Sequence, residues 1–445
     1  MRGCVIVVRR LTGADFLALG DEELAGVVLR GAAELDSVRG QVESILKEVR
    51  SEGDAALVKF TSRFDGVDLP AERLRVPPEA FKAAYSQLPA GVVEALRAAA
   101  RNIETFHEAQ LRQEWWVETS PGVRVGQVTR PIDSAGVYVP GGRASYPSSV
   151  LMMAVPARVA GVDRVVVATP PGPEGLPSPG ILVAAKEAGV SEVYVVGGAQ
   201  AVAALAFGTQ TVKRVDKIFG PGNKYVNAAK QLVASWGVVA VDLPAGPSEV
   251  LILADEAADP RLVAVDLASQ VEHDPDNVGV VVSTHGPLLD AVEVEFEKLL
   301  EVLDRADIVR RAWRDNVTLV RVASEEEAAA VVNRVAPEHL EILTRHPRET
   351  LKKIRHAGAV FMGPASPVPI GDYAAGSNHV LPTGGRAKVY SGLHVTDFLK
   401  TIDVVEATPR GLKALAPTVS TLAKYEGLDA HALAVDVREF DDQKP

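Results

Sequence analysis

The chain has 445 residues, 47% of them hydrophobic, so it can bury large cores and is expected to form two or more domains. Its net charge of −11 and the lack of any lysine or arginine cluster argue against binding to nucleic acid. No apolar stretch approaches the roughly 20 residues that span a membrane, and the single cysteine suits a reducing compartment, so we expect a soluble cytoplasmic protein.

The first long segment, residues 31–110, is predicted to be helical. Val38, Val42, Ile45 and Val49 recur at the spacing of one helix face. The N-terminal residues before this segment carry no pattern that assigns them a function.

From about Val165 onwards, short apolar strands alternate with helical segments at 181–188, 199–207 and 225–235. This alternation indicates a parallel sheet with right-handed crossovers. Each strand runs into Gly or Pro, as the quoted stretches show: "RVVVATPPG", "EVYVVGGAQ", "DKIFGPGN" and "GVVAVDLPAGPS".

A second α/β alternation follows, with the strands "EVLILAD", "VGVVVST", "VTLVRV" and "AVFMG". Asp259 and Pro260 predict the start of one helix, and Ser324 with Glu327 predicts a capping box at another. The segment from Thr396 onwards is predicted to be mostly helical with no strand set of its own. It is therefore expected to pack on a partner subunit.

Two glycine-rich loops in the first α/β unit could approach a phosphate: "VGGAQA" at 196–201 and "FGPGN" at 219–223. Ligands bind beyond the carboxyl ends of strands in such sheets. The alternative is that these loops only reverse the chain, and no G-x-G-x-x-G motif is present. The loops permit a dinucleotide without requiring one.

The stretch "DLASQVEHDPDN" ends an apolar helix with Gln270 and His273 three residues apart on one face. Two such groups can share a cation, although a lone Gln and His on a helix are more often surface or core residues. Nitrogen and oxygen ligands without a thiolate cluster suit zinc or a similar divalent ion. Two further imidazole–carboxylate pairs raise the case for a metal: Asp372 with His379 in "GDYAAGSNHVLPT", and Glu426 with His431 in "EGLDAH".

The stretch "VAPEHLEI" places Glu338 and His339 directly after Pro337. Stepwise proton transfer needs a carboxylate and an imidazole, and an irregular turn can present both to one cavity. The alternative is a helix-capping pair.

Taken together, the motifs resemble the histidinol dehydrogenase family from about residue 30 to residue 437. The resemblance implies zinc-dependent oxidation of L-histidinol to L-histidine through L-histidinaldehyde with two NAD, the last steps of histidine biosynthesis. The matching stretches, in the family's order and spacing, are "YVPGGRASYPSSVLM", "VGGAQAVAALAFGT", "KIFGPGN", "LPAGPSEVLILAD", "SQVEHDPD", "APEHL", "GDYAAGSNHVLPT" and "EGLDAHALAV".

The resemblance also implies roles for individual residues. Glu338 and His339 correspond to the acid–base pair, while Glu272 and Asp274 are not ligands in the family pattern. The implied zinc ligands are Gln270, His273, Asp372 and His431; the implied NAD contacts are Tyr138, Gln200 and Asn223; the implied substrate contacts are Ser248, His379 and Glu426, alongside His339 and the zinc-binding residues.

The expected fold is α/β, with two Rossmann-like parallel-sheet domains, a helical N-terminal segment and a mostly helical C-terminal tail. We expect a homodimer whose active site is shared between subunits. The predicted division is an N-terminal segment at 1–30, a first α/β domain at 31–137 and 247–395 carrying the zinc and acid–base residues, an inserted NAD-binding domain at 138–246, and the tail at 396–445 on the partner subunit.

Three alternatives stay open at this point. A paralogous zinc- and NAD-dependent dehydrogenase could oxidise another small alcohol, although the full set of substrate and acid–base residues argues against it. A zinc hydrolase would use Glu338 on metal-bound water. A non-catalytic nucleotide-binding protein would bind the dinucleotide without turnover.

Overall fold

The computed structural model describes residues 8–28, 32–141, 145–243 and 246–438, and their strands form two parallel sheets and one antiparallel sheet. Cys4 and the last residues of the tail lie outside the described part. The strands are β1 (Arg9–Thr12), β2 (Trp115–Ser120), β3 (Val123–Pro131), β4 (Ser134–Tyr138), β5 (Arg164–Thr169), β6 (Glu192–Val195), β7 (Lys217–Phe219), β8 (Ala240–Val241), β9 (Glu249–Ala254), β10 (Val278–Ser283), β11 (Val317–Arg321), β12 (His339–Leu343), β13 (Ala359–Met362) and β14 (Leu399–Ala407).

The helices begin where the sequence places caps. Asp259 accepts a hydrogen bond from the Arg261 N–H, and Ser324 accepts one from the Glu327 N–H. The Glu327 carboxylate bonds the N–H of Ala323 instead of that of Ser324, so only half of the predicted capping box forms. The helices are α1 (Gly13–Ala18), α2 (Asp21–Val28), α3 (Ala32–Glu52), α4 (Asp54–Asp65), α5 (Pro78–Gln87), α6 (Ala90–Glu108), α7 (Pro147–Val159), α8 (Pro179–Glu187), α9 (Gly198–Phe207), α10 (Lys224–Ser235), α11 (Pro260–Val271), α12 (Gly286–Leu299), α13 (Ala306–Asn316), α14 (Glu325–Val335), α15 (Pro347–Leu351), α16 (Val368–Tyr373), α17 (Pro409–Tyr425) and α18 (Asp429–Asp436).

The larger sheet has six parallel strands in the order β1-β11-β10-β9-β12-β13. Every residue of β9, β10 and β12 is buried, because helices cover both faces of a parallel sheet, and this explains the apolar runs of β9 and β10. Helices α11, α12 and α13 enclose one core, and α1, α2 and α14 enclose the other.

The second sheet has five parallel strands in the order β6-β5-β4-β7-β8. Helices α5 to α8 cover one of its faces, and α3, α4, α9 and α10 cover the other. The alternation of strands and helices predicted from the sequence is confirmed in both sheets, and so is the α/β fold class.

The packing differs from the predicted domain boundaries in three respects. The helices between residues 32 and 108, which we assigned to the first domain, pack on the five-stranded sheet. Strand β4 lies at the centre of that sheet although it precedes the predicted boundary at Tyr138. Strand β1, from the N-terminal segment, forms the edge of the six-stranded sheet. The sequence of a helix does not show which of two sheets the helix covers. Only the tertiary contacts show this.

The tail also differs from its prediction. Strand β14 pairs antiparallel with β3, and β3 pairs with β2, so the tail has a strand and shares a small sheet with residues 115–131. Most of β14 and all of β2 except Ser120 are exposed, so neither strand has the buried apolar run that marked the strands predicted from the sequence. After β14 the tail is helical as predicted, and its helices α17 and α18 pack on each other.

Among the described residues, no helix is long and apolar enough to cross a membrane.

A buried ion pair fixes the loop that follows β7. Lys230 of α10 pairs with Asp242, and both side chains are almost completely buried. The ammonium group of Lys230 donates to the Gly220 carbonyl at 2.8 Å, and the Asp242 carboxylate accepts from the Gly220 N–H at 2.6 Å. Gly220 has a φ of 126° and lies so close to Tyr138 that a Cβ would stand 2.1 Å from its carbonyl oxygen. The pair therefore secures a backbone position that only glycine can occupy.

We expect Lys230→Met to lower the free energy of unfolding by about 3–5 kcal/mol, because it leaves the Asp242 carboxylate buried without a cation. The double variant Lys230→Met/Asp242→Asn should recover part of this loss, since no buried charge then remains. Denaturant unfolding followed by circular dichroism measures both. The control is Lys298→Met, which removes an exposed pair with Glu295 and should cost about 0.5 kcal/mol or less. An equal loss in Lys230→Met and Lys298→Met would contradict the role of the buried pair.

Candidate active site

The residues predicted to act as acid and base lie at the amino ends of β9 and β12. His339 is the first residue of β12 and pairs in register with Val250 of β9. Glu249, the first residue of β9, directly precedes Val250. Helix α14 ends at Ala336, which has a left-handed φ of 51°, and Pro337 follows it. This irregular turn carries Glu338 and His339 into the interior together, so the helix-capping alternative does not describe them.

The backbone of Glu249 holds both side chains. Its N–H donates to Glu338 Oε2 at 2.9 Å, and its carbonyl lies 3.1 Å from His339 Nδ1. Because a carbonyl can only accept, the proton of the neutral His339 ring is on Nδ1. Nε2 has no hydrogen-bond partner and lies 3.6 Å from Asp372 Oδ1. The Asp372 carboxylate raises the pKa of His339, and in the protonated ring the Nε2–H faces that carboxylate.

The pKa values of this pair reflect burial and mutual attraction. Burial raises the pKa of Glu338 to about 7, although the charge of His339 and the Glu249 N–H oppose the shift. Burial lowers the pKa of His339, but the carboxylates of Glu338 and Asp372 outweigh it and raise this pKa to about 9. A carboxyl group with a pKa near neutrality can both accept and release a proton at physiological pH.

A second buried carboxyl group lies beside the pair. Burial raises the pKa of Glu249 to about 8, and the negative charge of Glu338 raises it further. One oxygen of the Glu249 side chain accepts from the Gly384 N–H, and the other has no partner. Sequence reasoning missed this residue, although an acid at the first position of an otherwise apolar strand was a signal.

Asp372 of α16 is the centre of three imidazoles. Burial would raise its pKa, but the hydrogen bond and positive charge of His339, and the charges of His379 and His273, lower it below its ordinary value. His379 Nδ1 donates to the Asp372 carbonyl at 3.0 Å, and its Nε2 lies 3.1 Å from Ser149 Oγ. No sequence signal pointed to Ser149.

The end of α11 supplies the other predicted ligands on this chain. Gln270 is buried in the last turn, and its carbonyl accepts from Asn277 Nδ2 at 2.8 Å. The helix ends at Val271, so His273 lies just beyond it instead of on its face. His273 is exposed as a residue, although burial lowers the pKa of its ring and the Asp372 carboxylate opposes that shift. His273 and Asp372 lie on the side of the cluster that faces solvent.

The structure does not bring the tail residues to this cluster. Glu426 and His431 are exposed on α17 and α18, and within the described chain their side chains form no hydrogen bond or ion pair. In the same described ranges, no three His, Cys, Asp or Glu side chains are close enough to hold a metal ion by themselves. Ser248, in contrast, lies beside Glu338, and its side chain opposes the rise in the pKa of that carboxyl group.

A cavity of about 820 Å³ opens at the carboxyl ends of β4 to β7, and the three predicted NAD contacts line it. The hydroxyl of Tyr138 accepts from the Gly198 N–H at 3.2 Å. Asn223 uses Oδ1 to cap α10, accepting from two N–H groups, so its amide N–H₂ is left for a ligand. Both glycine-rich loops border this cavity, where backbone N–H groups can meet phosphates.

Comparison with known proteins gives one family. A family model described as histidinol dehydrogenase matches residues 28–439. The histidinol dehydrogenase of Methanothermobacter thermautotrophicus is 49% identical over 426 residues, covering 96% of this chain and 98% of the relative. That of Bacillus subtilis is 44% identical over 432 residues, covering 97% and 98%. The crystal structure of histidinol dehydrogenase from Elizabethkingia anophelis superposes with a TM-score of 0.91 at 36% identity and covers 97% of each chain. The resemblance predicted from the motifs is confirmed, and the chain belongs to the histidinol dehydrogenase family.

Proposed function

We propose that this protein is a zinc- and NAD-dependent enzyme that oxidises L-histidinol to L-histidine through L-histidinaldehyde in the last steps of histidine biosynthesis. The observation that carries the proposal is the buried Glu338–His339 pair, whose unpartnered Nε2 faces Asp372. Proton transfer from an alcohol and then from water needs such a pair. Membership of the histidinol dehydrogenase family supports histidinol as the substrate and a dinucleotide as the oxidant.

The donor set fits a zinc ion. His273 and Asp372 interact electrostatically in the cluster, Gln270 is buried in the last turn of α11, and imidazole with oxygen donors suits this metal. When bound, zinc would orient the imidazole and amine of histidinol as a Lewis acid. Neutralisation of the Asp372 carboxylate would remove one of the two charges that raise the pKa of His339, returning that imidazole towards the range of a general base.

The chain's own groups divide the work of the two oxidations. His339 accepts the proton of the alcohol in the first step, and NAD is the hydride acceptor in both steps. Glu338 then activates water to form the hydrated aldehyde, and His339 assists the oxidation of this hydrate. His379 links the two regions, because its partner Ser149 lies in the first turn of α7 and Ser145, just before that helix, lines the cavity. The enclosed cluster retains the reactive aldehyde between steps.

We further propose a homodimer in which the tail of one subunit completes the site of the other. The cluster exposes His273 on one side, while Glu426 and His431 are exposed on the tail without a partner. The tail helices also expose large apolar side chains, including Tyr425, which is 90% exposed. Large apolar side chains exposed in such number are typical of a subunit interface.

The first test is turnover with L-histidinol, NAD and zinc, measured as formation of NADH and histidine. Removing zinc with a chelator should abolish turnover, and adding zinc should restore it, because substrate orientation depends on the metal. Gln270→Ala and His273→Ala should each retain less zinc per subunit after dialysis. Glu272→Gln, a change between the two ligands, should retain as much as wild type.

Full activity of the metal-stripped enzyme would contradict the zinc assignment. Hydrolysis without any NAD-dependent absorbance change would favour the zinc hydrolase. Stoichiometric zinc in both ligand variants would remove the end of α11 from the metal site.

The second test separates the two oxidations. Glu338→Gln should slow oxidation of the aldehyde more than the first hydride transfer, because only the second step needs activated water. His339→Asn should slow both, by about 10²- to 10⁴-fold for a general acid–base group. Single-turnover rates starting from histidinol and from the aldehyde measure the two steps. Equal and mild losses in both variants would exclude the pair from the mechanism.

The third test addresses the shared site by mixing inactive Glu338→Gln subunits with inactive His431→Ala subunits. If His431 acts across the interface, each mixed dimer has one site with both lesions and one with none. Random exchange makes about half of the dimers mixed, so activity should recover to roughly a quarter of wild type. No recovery, with exchange confirmed by mass, would show that His431 acts within its own chain and leave the zinc assignment intact.

A further inference from the structure

Asp65 contributes an unexplained negative charge to the cavity at the carboxyl ends of the five-stranded sheet. It is the last residue of α4, which ends at the left-handed Gly66. Among the described residues that line the cavity, Asp65 is the only charged one. It belongs to neither a glycine-rich loop nor a strand end, so the motifs that predicted a dinucleotide site did not include it.

The carboxylate of Asp65 has an oxygen without a partner. Oδ2 is buried and accepts no hydrogen bond from any described group. Burial raises the pKa of Asp65 to about 6, so the group is still largely ionised at neutral pH. Its charge contributes, after burial, to the raised pKa of Tyr138, which locates the carboxylate near the end of β4. A buried ionised oxygen of this kind is stabilised by donors from a ligand.

The chemistry of a dinucleotide restricts which of its groups Asp65 can meet. Its phosphates are anionic acceptors and are repelled by a carboxylate, whereas the backbone N–H groups of the loops at Gly198 and Gly220–Asn223 suit them. The ribose hydroxyls are donors, and an acidic side chain is a suitable acceptor for the adenosine 2′-hydroxyl. No lysine or arginine among the described lining residues could neutralise an added 2′-phosphate.

We propose that Asp65 binds the adenosine ribose of NAD through its hydroxyls and is the residue that excludes a 2′-phosphorylated dinucleotide. This inference rests on the proposed function. The carboxylate accepts from the 2′-hydroxyl in NAD, and it meets a second anion at the same position in NADP.

The test compares NAD and NADP as ligands and as oxidants for wild type and Asp65→Asn. The variant should raise the Kd and the KM for NAD by about tenfold, because a charge-assisted hydrogen bond is lost, and leave kcat nearly unchanged. The ratio of kcat/KM for NAD over NADP should fall by about tenfold or more, since the repulsion of the 2′-phosphate is removed. Titration calorimetry with each dinucleotide alone measures the two Kd values.

The matched control is Asp68→Asn. It removes the same charge three residues away, at an exposed position that does not line the cavity. This variant should keep the wild-type ratio. Asp65→Asn is isosteric, and a thermal unfolding midpoint equal to that of wild type excludes a folding defect. Asp65→Ala provides a second variant in which the acceptor is lost altogether.

An unchanged ratio, or equal weakening of NAD and NADP, would overturn the role of Asp65 at the 2′ position. The calorimetric readout does not depend on turnover. Wild type that binds NAD tightly without oxidising histidinol would therefore contradict the proposed function, and the binding ratio would still decide the role of Asp65. Wild type that binds neither dinucleotide would overturn both.

Discussion

The geometry of the candidate active site depends on the parallel pairing of β9 with β12. Their register pairs His339 with Val250, so the N–H and carbonyl of Glu249 are the groups that contact the Glu338 and His339 side chains. A shift of one residue would turn every side chain of β12 to the opposite face. Because both strands are completely buried, their apolar neighbours exclude such a shift. The same constraint therefore governs the packing of the core and the alignment of Glu338 with His339.

The two sheets contribute opposite edges to the site. The cavity lies at the carboxyl ends of the five-stranded sheet, the usual location for a ligand in such folds. The Glu338–His339 pair lies at the amino ends of the six-stranded sheet, where turns from helices such as α14 lead into strands. The contact between His379 and Ser149 joins these regions. Each sheet therefore supplies a different kind of group: backbone donors from one, titratable side chains from the other.

Much of the fold could be predicted because buried parallel strands appear in the sequence as apolar runs that end at Gly or Pro. The exposed strands β2 and β14 lack such runs, and the buried strand β12 has its run interrupted by Glu341, so all three escaped prediction. The helices between residues 32 and 108 were predicted, but the sheet that they cover was not. An amphipathic pattern shows which face of a helix is buried and does not show which sheet that face packs on. In the site, Glu338 and His339 were identifiable as adjacent polar residues after Pro337. Glu249 and Ser149 act through contacts that only the folded chain creates.

The edge strand β1 has a consequence for the order of folding during synthesis. Arg9 pairs with Thr318, so β1 leaves the ribosome long before its partner strand exists. The strands of the five-stranded sheet and the helices that cover it come from the continuous stretch between residues 32 and 243, so they can form while β1 is still unpaired. Pairings of such high sequence separation form late, because closing the intervening loop is entropically costly. The nascent chain therefore carries an unpaired N-terminal strand until β11 has emerged.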